Sequence, residues 1–368
     1  MKTTIYLTLV LALLAGCKDE NTVPGTLSEQ IDQYLDQNQN SNGPGLSIAI
    51  RHGGEIVYQN AVGMARRTDD TPISQDTQFR IASITKTITA ISIMNMAESG
   101  ALNLEDKLLD YLPSLPSNYS DITIEHLLSH RSGLLDYIDD NNNISSLNDL
   151  PTSQVLNIVD GSGLENLQFE PGTSGDYCNT GFVFLALIIE QISGMSYPEY
   201  LQTQLFGPIG MSDSFVISES DHLGDHGDDY ALSFGTQLKV KGFNSLIYGA
   251  SGVVSTTNDI LKFTEALLRH EIISQPSLEL MIQTIGPVPG ISDYGLGWMT
   301  GSGDYWHSGK YSGPNTFWHM GGFDGYRTVL SIDPDLDLQV IALSNNGQES
   351  QNLFLGIIQI VRDFYQEN

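Results

Sequence analysis

Leu27, Ile31, Tyr34 and Leu35 recur at helical intervals, and the spacing predicts a first helix that ends near Gln37. Two short apolar runs, 46–50 and 56–62, flank Gly53-Gly54 and predict a β-hairpin, because paired glycines supply the positive φ angles that a tight turn between twisted strands needs. From Ser83 to Glu98 the apolar positions Ile84, Ile88, Ile91 and Met94 to Met96 return to helical spacing, and Gly100 is placed to stop this amphipathic helix. Ser83 then stands in its first turn. Helical spacing continues through 102–112, 124–128, 181–192 and 198–205, with Gly and Pro between the segments, and reappears at 258–269. Beyond that the pattern changes to strands at 294–299, 316–319, 326–332 and 338–343, and a helix over about 351–364 follows.

This order predicts an α/β (α+β) architecture, an antiparallel sheet flanked by helices with an all-α domain inserted. The α/β part is expected from both ends of the chain, 27–100 and 245–368, and the helical part from 101–244. The junction of two such units is a common place for a pocket. The acidic and amide run 139–143 reads as a loop.

The first residues change the picture. One positive charge at Lys2 precedes an uncharged apolar run from Ile5 to Leu14, the layout of an export signal. The run is short of the roughly 20 apolar residues of a membrane span. It ends in Leu14-Ala15-Gly16-Cys17, which resembles a bacterial lipobox and implies a signal peptide at 1–16, a lipid on Cys17 and a tether at 17–26. The protein is therefore expected in the cell envelope, anchored by lipid at the outer membrane or cell surface. Lys18-Asp19-Glu20 resembles a surface-export tag and reads equally well as a solvated linker. With Cys17 lipidated, Cys178, the other of the two cysteines, has no disulfide partner. A net charge of −28, from 44 acidic against 16 basic residues, argues against nucleic acid as a partner.

Three constellations carry chemistry. Ser83-Ile84-Thr85-Lys86 places a hydroxyl and an amine on one helical face, one turn apart, where the amine can draw off the serine proton. Ser-x-x-Lys is weak alone, since a serine can simply cap a helix and a lysine sit on the surface; none of the other seven lysines, however, has a serine three residues before it. Tyr177-Cys178-Asn179 supplies a phenol that can act as general base if a nearby cation lowers its pKa, and an amide that can hold both the lysine and a substrate carbonyl. Tyr58-Gln59-Asn60 repeats the pattern inside a predicted hairpin strand, where ordinary strand residues are the better reading. His319-Met320-Gly321-Gly322 ends a strand, and its paired glycines would let a substrate backbone lie close along the strand edge; His307-Ser308-Gly309 lacks the second glycine.

In order and context, these motifs resemble those of the serine beta-lactamase-like superfamily, which includes class C beta-lactamases, DD-peptidases and related esterases. The resemblance extends over about 46–343 and includes Phe79-Arg80-Ile81-Ala82, the phrase from Leu127 to Leu134, the phrase from Gly249 to Ser255, and Tyr294-Gly295-Leu296-Gly297-Trp298. It implies an acylated nucleophile at Ser83, its lysine at Lys86, the base at Tyr177, the amide at Asn179, and an oxyanion hole from the backbone N–H groups of Ser83 and Gly322, with Gly321 and Gly322 along the substrate. Where beta-lactamases of this group have lysine, this chain has His319. A neutral imidazole removes a fixed positive charge, so esters or D-residue amides and peptides are expected over anionic beta-lactams. A true beta-lactamase or DD-carboxypeptidase is the alternative, and a non-catalytic lipoprotein that binds peptidoglycan or a partner is a second.

Other candidates have plainer readings. Residues 221–229, rich in His and Asp, can be drawn as a metal site, but glycines break any helix and a solvated acidic loop is the better reading; no metal or cofactor is expected. Glu170 precedes Pro171-Gly172 and belongs to a turn. Trp298, Trp318, Tyr311 and Tyr326 are read as core packing, and alternation should point Cys178 away from Tyr177 and Asn179.

Overall fold

The computed structural model describes residues 25–66, 70–137, 165–217, 248–301, 313–323, 325–347 and 349–367. The signal segment with Cys17, the run 139–143, the segment 221–229, His307 and Tyr311 lie outside the described residues. Helix α1 (Leu27–Asn38) starts at a Thr26–Glu29 capping box, and β1 (Leu46–His52) turns into β2 (Glu55–Val62) through Gly53 and Gly54, both at positive φ. β3 (Met64–Arg66) and β4 (Thr71–Pro72) form a small ribbon. β5 (Phe79–Arg80), β6 (Phe215–Val216) and β7 (Val253–Ser255) make a three-stranded sheet in the order β5-β7-β6. The main sheet adds β8 (Gly286–Val288), β9 (Ser292–Tyr294), β10 (Met299–Thr300), β11 (Phe317–Phe323), β12 (Tyr326–Asp333) and β13 (Leu338–Ser344). Its order is β2-β1-β13-β12-β11-β10-β9-β8, with every pairing antiparallel.

Strand periodicity divides the core into two layers. Ile48, Ile50, Val340, Ala342, Trp318 and Met320 face one apolar cluster that also contains residues of α1 and the C-terminal helix. Ala49, Ile341, Leu343 and Phe317 point to the opposite face, against a cluster built mainly from the helical segments. Those segments are α2 (Thr85–Glu98), α3 (Leu108–Tyr111), α4 (Ile124–Leu128), α5 (Asn179–Ser193) and α6 (Tyr197–Tyr200). A π-helical turn, Leu201–Phe206, continues α6. Helices α7 (Thr257–Leu268), α8 (Gln275–Ile282) and α9 (Glu349–Glu367) complete the set. Among the described residues no single helix is long and apolar enough to cross a membrane.

Three expectations change. The helix through Ser83 is not amphipathic, because every residue of α2 from Thr85 to Met94 is buried and only its last turn reaches the surface. Its polar positions tolerate this by folding hydroxyls back on the helix: Thr87 donates to the Ile84 carbonyl, Thr89 to that of Thr85, and Ser92 to that of Ile88. Residues 102–112 form one short helix, α3, rather than a long one, since the Asp106 carboxylate takes the Asn103 N–H and fixes a turn there. The strand expected over 294–299 is split into β9 and β10. Between them Gly297, at φ +81°, lets the turn dock on α2, where a Cβ would lie 2.2 Å from that of Ala90. Helix α8 carries only eight residues and had no strong periodic signal.

Candidate active site

Ser83 lies in a 3-10 turn, Ala82–Ile84, that leads straight into α2. Ala82 adopts φ +48°, a left-handed conformation that costs a residue with a Cβ about 1–2 kcal/mol. The turn is held from behind: the Ile81 carbonyl accepts from Ile84 N–H at 3.2 Å and from the Thr328 hydroxyl of β12 at 2.9 Å. The strained residue before Ser83 is thus fixed by the main sheet.

One turn later Lys86 is fully buried. Its Nζ lies 2.7 Å from Asn179 Oδ1, 3.0 Å from the Ala250 carbonyl oxygen and 3.3 Å from Ser83 Oγ. Burial lowers its pKa to about 7, against the opposing influence of the Asp136 carboxylate. A neutral amine can still donate to both oxygen acceptors, and its lone pair then faces the Ser83 hydroxyl.

Tyr177 forms a hydrogen bond with Ser83, and Lys86 Nζ sits 4.8 Å from its ring centre. The nearby cation does not win, however, because burial raises the Tyr177 pKa above that of an ordinary phenol. The group poised near neutrality is Lys86, not Tyr177.

Asn179 opens α5, and its orientation is set by Asp136, which accepts from the Asn179 side-chain amide at 2.7 Å and from its backbone N–H at 3.1 Å. With the amide nitrogen so engaged, Oδ1 is turned to the lysine. Cys178 points the other way, as alternation requires; it is buried, and burial raises its thiol to about 12. His130, in the phrase 127–134, brackets Tyr177 on both sides: its carbonyl accepts from Asp176 N–H at 2.9 Å and its Nδ1 from Cys178 N–H at 3.1 Å. Its ring lies 4.3 Å from that of Tyr177. Asp136 and His130 went unnoticed in the sequence because neither falls at a spacing that carries chemistry. The phrase around His130 was visible only as a flanking resemblance.

His319 sits differently from its expected place beside a substrate. It is fully buried on the helical side of β11, with Nδ1 2.7 Å from the Met320 carbonyl and Nε2 2.9 Å from the Tyr294 hydroxyl. The carbonyl can only accept, so Nδ1 carries the proton and Nε2 accepts from Tyr294. Burial, with Lys86 nearby, lowers its pKa to about 3, so the ring is neutral. Gly321 lines the cleft, yet the need for glycine arises behind it: a Cβ there would lie 2.5 Å from the Ile81 carbonyl oxygen and 2.9 Å from Ala82 Cβ. Gly322 is exposed. On β11, β10 pairs only with Phe317 and Trp318, so among the described residues the β11 edge from His319 onward has no strand partner on that side.

A cleft of about 210 Å³ reaches the site through Tyr177, Gly321 and Gly322, and Met299, Arg327 and Gln351 extend it. Of the remaining candidates, Trp298, Trp318 and Tyr326 are core residues, Glu170 closes a turn with Thr173, and Tyr58 in β2 donates to Asp32. Among the described residues no His, Cys, Asp or Glu cluster is arranged to hold a metal ion.

The fold and this serine–lysine–tyrosine constellation define a class of protein. The beta-lactamase family model matches residues 30–359, and the chain belongs to that family. It is 33% identical over 275 residues to penicillin-binding protein 4* of Bacillus subtilis, a match that covers 69% of this chain and 59% of that relative. The chain thus spans about three-fifths of that protein. Among solved structures it resembles the D-amino acid amidase of Ochrobactrum anthropi SV3, at 25% identity with a TM-score of 0.71 over 92% of this chain and 100% of the other. EstCE1, a hydrolase with promiscuous acyltransferase activity, shares the fold at 21% identity and a TM-score of 0.71, over 90% of this chain and 98% of its own.

Proposed function

We propose that the protein is a serine hydrolase that forms an acyl-enzyme on Ser83 and acts on esters or on amides and peptides of D-residues. The observation that carries this reading is the buried Lys86 amine, with a pKa near 7, 3.3 Å from a half-buried serine hydroxyl. Neutral Lys86 accepts the Ser83 proton as Oγ attacks the substrate carbonyl. The new oxyanion is met by the backbone N–H groups of Ser83 and Gly322. As the bond to the leaving group breaks, the proton passes from Lys86 to the departing nitrogen or oxygen, with the Tyr177 phenol as a hydrogen-bonded relay. Water then attacks the ester on Ser83, gives its proton to the same amine, and regenerates the serine.

The likeness to a D-amino acid amidase and to a penicillin-binding protein supports the D-residue class of substrate. A binding protein without catalysis has no need for Lys86, Tyr177 and Asn179 together on one serine. A fluorophosphonate should add its mass to the peptide that contains Ser83 and to no peptide of Ser83→Ala. Labelling at another serine would remove the mechanism.

The lipid anchor and the location at the bacterial cell envelope are part of the same proposal and rest on the sequence around Cys17. Wild-type protein should partition into detergent, and Cys17→Ser should not, since one acyl-bearing residue supplies the membrane affinity. Equal partition of the two forms would rule the anchor out.

A further inference from the structure

Helix α4 ends in a Schellman motif: Arg131 N–H donates to the His126 carbonyl at 2.9 Å and His130 N–H to that of Leu127 at 3.4 Å, with His130 at φ +59°. Glycine usually fills such a position and asparagine sometimes does, because a left-handed backbone crowds most side chains. Here a histidine takes it, and its ring is buried. Nδ1 accepts from Cys178 N–H at 3.1 Å, a bond that an asparagine oxygen, at the same number of bonds from Cα, would make as well. Nε2 therefore carries the ring proton, and among the described residues it has no hydrogen-bond partner. What histidine adds over asparagine is the flat ring itself. It lies 4.3 Å from the ring of Tyr177 at 36°, 4.6 Å from that of Tyr294 at 64°, and 5.1 Å from that of Phe182. It is also a neutral surface, since burial, with Lys86 and His319 nearby, holds its pKa well below the ordinary value.

We propose that His130 is a positioning residue for proton delivery to the leaving group: its ring is the wall that holds the Tyr177 phenol at Ser83 Oγ. The inference rests on the proposed acylation at Ser83, in which Tyr177 relays the proton from Lys86 to the departing atom. The hydrogen bonds of His130 to Asp176 N–H and Cys178 N–H fix the backbone on either side of Tyr177. They leave the side chain free to swing at Cβ, and the hydroxyl stands at the far end of the ring, where a small swing carries it away from Ser83. Packing of the imidazole on the phenol ring restrains that swing. Attack by Ser83 needs only Lys86 as base, whereas departure of a basic leaving group needs the phenol in place. Loss of the wall should therefore penalise substrates whose leaving group must be protonated and spare those whose leaving group departs as a stable anion.

The test is a series of acetate esters with increasingly basic leaving groups, nitrophenyl, phenyl and trifluoroethyl, in the full-length wild type, His130→Asn and His130→Gly. The ratio kcat/KM reports acylation. His130→Asn keeps an acceptor for Cys178 N–H and suits the turn, so it removes the ring alone. It should hold kcat/KM for the nitrophenyl ester within about threefold of the wild type and lose on the order of a hundredfold for the trifluoroethyl ester, the scale for a proton-transfer group displaced by about 1 Å. His130→Gly also suits the turn but strands the Cys178 N–H, so it should show the same selective loss on top of a drop common to all three esters. Fluorophosphonate, whose fluoride leaves without a proton, should label Ser83 in His130→Asn at near the wild-type rate. A merely structural role lowers all three esters and the labelling by one factor; that result, or a His130→Asn series that matches the wild type, overturns the role of His130 alone. Failure of the wild type to label Ser83 or to hydrolyse the nitrophenyl ester overturns the hydrolase reading and this inference with it.

Discussion

Lys86→Ala is expected to lower kcat/KM by about two to four orders of magnitude, the usual range for a group that moves the proton in the transition state. The size follows from how little else in the site can do this work. Tyr177 is held as a phenol by burial, and His319, at a pKa of about 3 and already accepting from Tyr294, has no free lone pair to offer. A pH profile separates this role from a structural one. Lys86 is the base when neutral, and its pKa is about 7, so wild-type kcat/KM should climb as pH rises through about 7 and then level off. The variant should keep only a small, flatter residue of activity. Asp136 raises the lysine pKa, so Asp136→Asn should move the rising limb to lower pH while it also loosens Asn179. A limb that stays in place in Lys86→Ala would assign the titration to another group.

The contact between Ser83 and Lys86 was legible because a helix turn converts a three-residue spacing into contact, and Tyr177 with Asn179 because they precede a helical run. Register made the strand faces legible as well: odd positions of β11 face the helices and even ones the outer layer, as Phe317 and Trp318 show. What could not be read depends on contacts between distant segments. The acceptor on Ala250, the carboxylate of Asp136 and the bracket from His130 reach the site only after the helical segments pack, and no local pattern announces them. The surroundings of residue 319 are of the same kind: strand alternation turns its side chain into a buried layer against Tyr294, which residue type alone does not show. Burial also decided the base: an exposed lysine would be protonated at neutral pH, and only the enclosure between α2, α5 and the Ala250 carbonyl makes the amine available.

Gly321→Ala tests whether the sheet positions the nucleophile. The added carbon would lie 2.2 Å from the Thr328 hydroxyl and 2.5 Å from the Ile81 carbonyl oxygen, far inside contact distance. Thr328 can rotate, but the Ile81 carbonyl is backbone, and it closes the turn that carries Ser83 through Ile84 N–H. The turn must therefore move away from β11, and Ser83 with it. A displacement of about 1 Å at a nucleophile costs on the order of a hundredfold in rate, and overpacking of this kind destabilises by roughly 1–3 kcal/mol. Gly322→Ala is the comparison. Its Cβ would meet the far end of the Arg327 side chain, which can swing aside, so the loss of stability should be much the smaller of the two. Thermal melts and the rate of fluorophosphonate labelling measure both effects on the same samples. If Gly321→Ala melts with the wild type and labels Ser83 as fast, the close approach of β11 does not hold Ser83 in place.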